Sequence, residues 1–257
     1  MYAVVWTEMK KLRRCAAWKA GLLAVLLADL FAFAPVFAND GVRKDFTLVM
    51  NNILESNCIY FFPALILLTG GFLARREYAD DTLKNLLTVP VSFRKLLLGK
   101  LLVLLFMTAA FSVFGWGCGV LLCGVAGLPD LTPLSAVSWM ARILLGNLCL
   151  FIAVLPLTIL SAFDTDAVYA CAAAGLVYGT LARVEWAPMN YYPVKAVLIL
   201  FDPQCGAGYD FVHYSKAGAG ITLLAVFLLS AALFLLLRPA VPDRRKPPKK
   251  AARKKGW

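Results

Sequence analysis

The chain has 257 residues, of which 61% are hydrophobic and 16% are charged, and its mean hydropathy is +0.75. These values lie outside the range of water-soluble globular domains and exclude a soluble enzyme. The formal net charge of +11 does not indicate a nucleic-acid-binding protein, because the basic residues occupy short stretches between apolar runs rather than one polar, foldable domain.

Six apolar segments predict membrane-spanning helices, since about 20 apolar residues are needed to cross a hydrocarbon core of about 30 Å. They cover residues 20–38, 56–74, 101–124, 143–163, 167–182 and 217–237. The fifth has only 16 uncharged residues, so it is tilted less, extends past Arg183 or ends before the outer surface. No alternating strand pattern occurs. The prediction is therefore an all-α integral membrane protein, with one transmembrane domain over residues 1–238 and a basic tail over 239–257.

The basic residues predict how the chain is oriented. Five Lys and Arg precede the first span, six lie between the second and third, and nine follow the sixth, which together make 20 of the 26. The positive-inside rule places these segments, with both termini, in the cytoplasm of a multi-pass plasma-membrane protein. A cleavable signal peptide ending at Val36-Phe37-Ala38 is the alternative, but Asp29 interrupts its apolar core and five remaining spans would put the termini on opposite sides.

The first 14 residues predict an amphipathic helix in the lipid headgroup layer. Its apolar face carries Tyr2, Val5, Trp6, Met9 and Leu12, and its other face is mostly basic. A simple basic leader that sets topology is an equal alternative.

The connection between the second and third spans predicts a short cytoplasmic helix. Asp80 or Asp81 can cap it, and Pro90 ends it, because the residue before a proline is biased away from the helical region. Leu83, Leu86 and Leu87 fall on one face. That face either rests on the membrane or docks into a partner.

The same connection resembles the coupling segment of ABC type-2 exporter permeases, particularly the subunits of lantibiotic-immunity and bacitracin-type exporters. The matching positions are Glu77, Thr82, Leu83, Leu86, Leu87, Pro90, Val91, Ser92, Leu98, Gly99 and Lys100. The leader from Glu8 to Arg13 is also similar to the start of that family, whereas Asp81 stands where many relatives carry Gly. The resemblance implies that coupling to an ATPase runs through Glu77, Asp80, Asp81, Thr82, Leu83, Leu86, Leu87 and Pro90.

The resemblance implies a permease subunit that exports an amphipathic peptide antibiotic or a similar lipophilic compound by alternating access. Its implied partners are two ATPase subunits, which would bind ATP and Mg, and a second permease chain, identical or paralogous. The sequence agrees in lacking a Gly-x-x-x-x-Gly-Lys-Ser/Thr phosphate-binding loop. An intramembrane enzyme and a membrane scaffold are the alternatives. The enzyme is disfavoured because the spans contain no His and no carboxylate pair.

Asp29 is the acidic residue inside the first span, where a charge costs about 2.5–3.5 kcal/mol on insertion scales. We expect it to face protein or water, either on the substrate path or in a structural hydrogen bond. Small residues recur in the third and fifth spans and favour close helix packing, within the chain or between subunits. They are Gly115, Gly117, Gly119, Gly124, Ala170, Ala174, Gly175 and Gly179.

Residues 186–216 predict a re-entrant or interfacial extracellular element, because the apolar run Val194–Phe201 is too short to cross and prolines bound it. An aromatic belt is expected from Trp186, Tyr191, Tyr192, Tyr209 and Tyr214. The resemblance implies an extracellular gate at Tyr191, Tyr192, Pro193, Asp202 and Tyr209, with an ordinary loop as the alternative. No catalytic or metal-binding residue is predicted, and a bridge between Cys58 and Cys205 is left open.

Overall fold

The structure is a computed structural model that describes residues 16–39, 41–79, 93–161, 168–206 and 213–236. Every regular element in these ranges is helical, which confirms the all-α prediction. The predictions for the amphipathic leader, for Asp80 to Pro90, for Tyr209 and for the basic tail lie outside the described residues.

Eight α-helices form the described part of the chain. They are α1 (Ala16–Phe33), α2 (Phe46–Ser56), α3 (Phe62–Ala79), α4 (Phe93–Val125), α5 (Pro133–Ser161), α6 (Val168–Thr180), α7 (Pro193–Phe201) and α8 (Lys216–Leu236). A π-helical stretch, Asn57–Phe61, joins α2 to α3. Turns of 3-10 helix occupy Ala34–Phe37, Leu181–Arg183 and Ala187–Tyr191.

Five helical segments in these ranges are long and apolar enough to cross a membrane. They are Trp18–Phe37, Phe46–Leu73, Arg94–Val125, Pro133–Ser161 and Lys216–Leu236, which correspond to the first four and the last of the predicted spans. The predicted fifth span is α6, which has only 13 residues before the Leu181–Arg183 turn. Six spans are therefore not confirmed, because α6 is shorter than the roughly 20 residues that a crossing helix needs.

Three helices begin well before the predicted spans, and α4 does so at Phe93 rather than 101. The second predicted span starts at residue 56, but α2 starts at Phe46, where the Asp45 side chain caps the helix by accepting a hydrogen bond from the Leu48 amide at 2.8 Å. The fourth starts at Pro133 rather than 143. Polar residues such as Asn51 and Arg142 occupy these added turns and end the apolar runs, so hydropathy alone missed them.

The helices begin and end at two opposite ends of the bundle. At one end, which we call distal, Arg43 pairs with Asp130 at 2.8 Å and the Phe46 amide donates to the Pro129 carbonyl. At the opposite, proximal end, the Arg94 guanidinium donates to the Leu235 carbonyl at 2.7 Å. Long helices thus run back and forth between these two ends.

α6 lies along α3 with almost no side-chain layer between them. Val168 lies beside Gly71, Gly175 beside the Pro63 backbone, and Gly179 beside the Ile59 backbone. The two helices are therefore antiparallel, and the small residues Gly175 and Gly179 pack within the chain. This is the first of the two alternatives that their spacing left open.

α7 lies inside the bundle rather than on its surface. Its residues from Val194 to Ile199 are all buried, and Phe201 lies beside Gly146 of α5. Pro193 occupies the first turn, where a missing amide proton costs nothing. The short helix that the apolar run predicted is present, and its re-entrant position in a membrane stays a prediction.

Candidate functional site

A polar cavity of about 250 Å³ lies between α2, α7 and the turn that follows α6. Its lining residues come from three separate parts of the sequence. They are Asn51, Asn52, Glu55, Ile59, Ala182, Arg183, Glu185, Lys195, Leu198, Asp202, Gln204, Cys205 and Gly206. Such a concentration of charged groups in an apolar bundle marks a candidate binding site.

An ion pair anchors α7 at this cavity. The Lys195 side chain is only 3% exposed, and its ammonium group pairs with the Glu185 carboxylate. The Tyr214 hydroxyl donates to the other Glu185 oxygen, and Lys195 also lies 5.2 Å from the centre of the Tyr214 ring. Because a buried ammonium needs a partner, these contacts fix α7 against the segments on either side of it.

Asp202 ends α7 and faces the cavity. Its carboxylate accepts a hydrogen bond from the Gln204 amide at 2.7 Å, and the Asn51 side chain lies near it. Burial raises the pKa of Asp202 above its usual value of 3.8, although the Gln204 amide and the Asn51 side chain oppose this effect. Asn51 is 5% exposed, and its Oδ1 atom accepts no hydrogen bond from the described residues.

Glu55 and Arg183 also line the cavity. Glu55 lies one helical turn after Asn51, and no hydrogen bond or ion pair at bonding distance joins it to another described residue. The Arg183 guanidinium donates to the Tyr60 hydroxyl and lies 5.9 Å from the centre of that ring. Three carboxylates and two cations therefore line the cavity.

Only part of the predicted extracellular gate reaches this cavity. Asp202 lines it, whereas Tyr191 is 68% exposed and Pro193 serves as the first residue of α7. The Tyr192 hydroxyl donates to the Tyr178 carbonyl, and burial raises the pKa of Tyr192. Tyr192 and Tyr214 thus make hydrogen bonds inside the protein, and the aromatic belt stays a prediction.

Asp29 lies away from the cavity, on the face of α1 that packs against α4. It is completely buried, and a Cβ atom placed on Gly115 would come within 3.3 Å of its Oδ2 atom. Neither carboxylate oxygen has a hydrogen-bond partner among the described residues. The structure thus places Asp29 against protein, on the side of the helix that is hidden from lipid.

Of the predicted coupling residues, Glu77 lies on α3. Cys58 and Cys205 are both free thiols, and burial raises the pKa of Cys205 to about 12. No group of three His, Cys, Asp or Glu side chains that could hold a metal ion occurs in the described ranges.

Sequence reasoning missed Asn51, Glu55, Glu185 and Lys195. The one available signal was Lys195, a basic residue in the middle of the apolar run that forms α7. A charge in such a position indicates a buried partner, but the sequence does not say which residue that partner is.

Comparison with known proteins adds two findings. Residues 4–182 match a family model described as ABC-2 family transporter protein. The bacitracin transport permease protein BCRB of Bacillus licheniformis is 26% identical over 153 residues, which cover 55% of this chain and 71% of that protein. The family match includes α1 to α6, with Asn51 and Glu55, and ends before α7.

Proposed function

The chain belongs to the ABC-2 family of transporter proteins and is thus a non-catalytic membrane permease, and from that premise we propose that it exports an amphipathic peptide antibiotic. The observation that carries the proposal is the similarity to a bacitracin transport permease. The substrate is a bacitracin-like or lantibiotic-like peptide, or a lipophilic compound of similar shape. Its expulsion would confer resistance or immunity on the cell.

ABC-2 permeases generally pair with ABC ATPase subunits. The complex proposed here contains two such ATPases, which bind ATP and Mg, and a second permease chain. Exposed apolar side chains along α1 and α8, such as Leu23, Phe31 and Phe227, support contacts with lipid or with that second chain. Closure of the ATPase pair would draw the coupling segments together and switch the permease between two states, which is alternating access.

The proposed topology has six crossings, with both termini and the proximal end in the cytoplasm. It is supported by α6 and the turn after it, which run antiparallel to α3 from Val168 beside Gly71 to Arg183 beside Tyr60 and so carry the chain away from the proximal end. Membrane-impermeant thiol reagents should label cysteines introduced beside Asp45 and Asp130 in intact cells, but not one introduced at Lys250. Labelling at Lys250 from outside would contradict this orientation.

ATP hydrolysis by the purified complex tests the function. The chain is captured with its ATPase from the native membrane, reconstituted in lipid, and assayed with and without bacitracin. Stimulation by bacitracin, and none by an unrelated neutral soluble peptide, is expected. An ATPase that hydrolyses ATP at the same rate at every bacitracin concentration would contradict the proposed substrate. Absence of any ATPase from the captured material would instead favour a scaffold.

A further inference from the structure

The cavity beside α7 carries one more negative than positive charge. Lys195 and Glu185 neutralise each other in their ion pair, which leaves Glu55 and Asp202 against Arg183. The guanidinium of Arg183 is already engaged by Tyr60. A ligand with a single positive charge would therefore neutralise the cavity.

Asn51 supplies an independent observation that points to a ligand with hydrogen-bond donors. This residue is 5% exposed, and its side chain lies near the Asp202 carboxylate, whose pKa it lowers. The Oδ1 atom of Asn51 is a buried acceptor without a donor among the described residues, and Asn51 lines the cavity. Buried acceptors of this kind are nearly always satisfied in native proteins. A donor that enters the cavity would satisfy this one.

We propose that this cavity binds the ammonium or guanidinium group of a cationic ligand, held by the carboxylates of Glu55 and Asp202 and by Oδ1 of Asn51. A primary ammonium has three donors and a guanidinium has five, and neither accepts a hydrogen bond, which matches a set of acceptors. A metal ion is a poorer match, because no three metal-ligating side chains converge within the described residues. The volume of about 250 Å³ suits the end of a lysine or arginine side chain.

One source of the cationic group is a basic side chain of the exported peptide, and this assignment rests on the proposed function. An ammonium group could also come from the headgroup of phosphatidylethanolamine. Both sources share the chemistry that the cavity recognises, and the binding experiment separates them.

The test uses the full chain in nanodiscs of phosphatidylcholine and phosphatidylglycerol, which contain no primary ammonium group. Two probes of nearly equal shape are compared by saturation-transfer NMR: N-acetyl-lysine amide, which carries one ammonium, and N-acetyl-norleucine amide, which carries none. Saturable binding of the lysine probe alone is expected. Equal binding of both probes, or of neither, would overturn the proposal. Phosphatidylethanolamine added to the nanodiscs should compete with the lysine probe only if the headgroup is the natural occupant.

Glu55→Gln and Asp202→Asn remove charge without changing the size of the side chain. Each should weaken binding of the lysine probe by about tenfold or more, since each removes a charge-assisted hydrogen bond. The matched control is Asp130→Asn, at an exposed carboxylate whose ion pair with Arg43 lies at the distal end. The control should bind as the wild type does. A double Glu55→Gln/Asp202→Asn variant that bound the lysine probe as tightly as the wild type would overturn the assignment of the acceptors.

Neither charge variant should fail to fold, because each replaces a partly desolvated carboxylate by its neutral isostere. Thermal unfolding of the same samples checks this. The experiment contains no ATPase, so its result is independent of the proposed function. If bacitracin stimulates ATP hydrolysis equally in the wild type and the double variant, the cavity is not the peptide site. If the lysine probe binds but bacitracin has no effect on ATP hydrolysis, the proposed substrate is wrong and the cation site stands.

Discussion

The contact between α6 and α3 depends on the absence of side chains at Gly175 and Gly179. An alanine Cβ at residue 175 would lie 2.7 Å from the Pro63 carbonyl oxygen and 2.8 Å from Leu67 Cδ1. A Cβ at residue 179 would meet the Ile59 carbonyl oxygen. Because both obstacles include backbone, rotation of a side chain cannot relieve them. We therefore predict that Gly175→Ala and Gly179→Ala each destabilise the protein.

The magnitude follows from the distance. Carbon and carbonyl oxygen atoms approach to about 3.3 Å in close contacts, so α6 must move about 0.6 Å away from α3 in the Gly175→Ala variant. Overpacking of this kind costs about 1–3 kcal/mol. The higher helix propensity of alanine offsets about 1 kcal/mol of this cost. A net loss of up to about 2 kcal/mol should lower the unfolding midpoint by up to several degrees.

The assay is the fraction of detergent-solubilised protein that stays monodisperse after heating. Gly117→Ala is the matched control, because a Cβ at that position of α4 meets nothing within 4 Å. It should unfold at the wild-type temperature or above. If Gly175→Ala and Gly179→Ala were as stable as Gly117→Ala, the close packing of α6 on α3 would be refuted.

Three further changes test other parts of the structure. Lys195→Met should cost about 3–5 kcal/mol in the same assay, because it leaves Glu185 unpaired, and adding Glu185→Gln should recover part of the loss. Asp29→Asn should fold and transport as the wild type does, because Asp29 is buried against Gly115; loss of transport in a stable variant would instead place Asp29 on the substrate path. Leu86→Glu should abolish capture of the ATPase, whereas Lys84→Ala should not, and an ATPase that bound both variants equally would rule out docking through the leucine face.

The long spans could be predicted because a run of about 20 apolar residues rarely occurs outside a membrane-spanning helix. Their true starts could not, because Asn51 and Glu55 make the distal part of α2 look like a polar loop. These side chains face a cavity inside the protein, and hydropathy does not distinguish such a cavity from water outside. The packing of α6 could not be predicted either, because it depends on contacts with α3 that the sequence of α6 alone does not specify.

The polar cavity could not be predicted from the sequence. Asp202 was expected in a gate, but its contact with Asn51 joins segments that are far apart in the chain. The ion pair of Lys195 with Glu185 depends on how the segment before α7 folds back over it. The aromatic residues did not indicate where the cavity lies, because Tyr191 is exposed and the hydroxyl of Tyr192 donates to the backbone of α6.

The proposed function requires that this chain form the path by which an ATPase moves an amphipathic peptide across the membrane. The most direct measurement is the distribution of labelled bacitracin across proteoliposomes that contain the chain and its captured ATPase. We expect net movement across the bilayer that requires ATP and is lost in the Leu86→Glu variant. A distribution that is the same with and without ATP, while the ATPase continues to hydrolyse ATP, would contradict it.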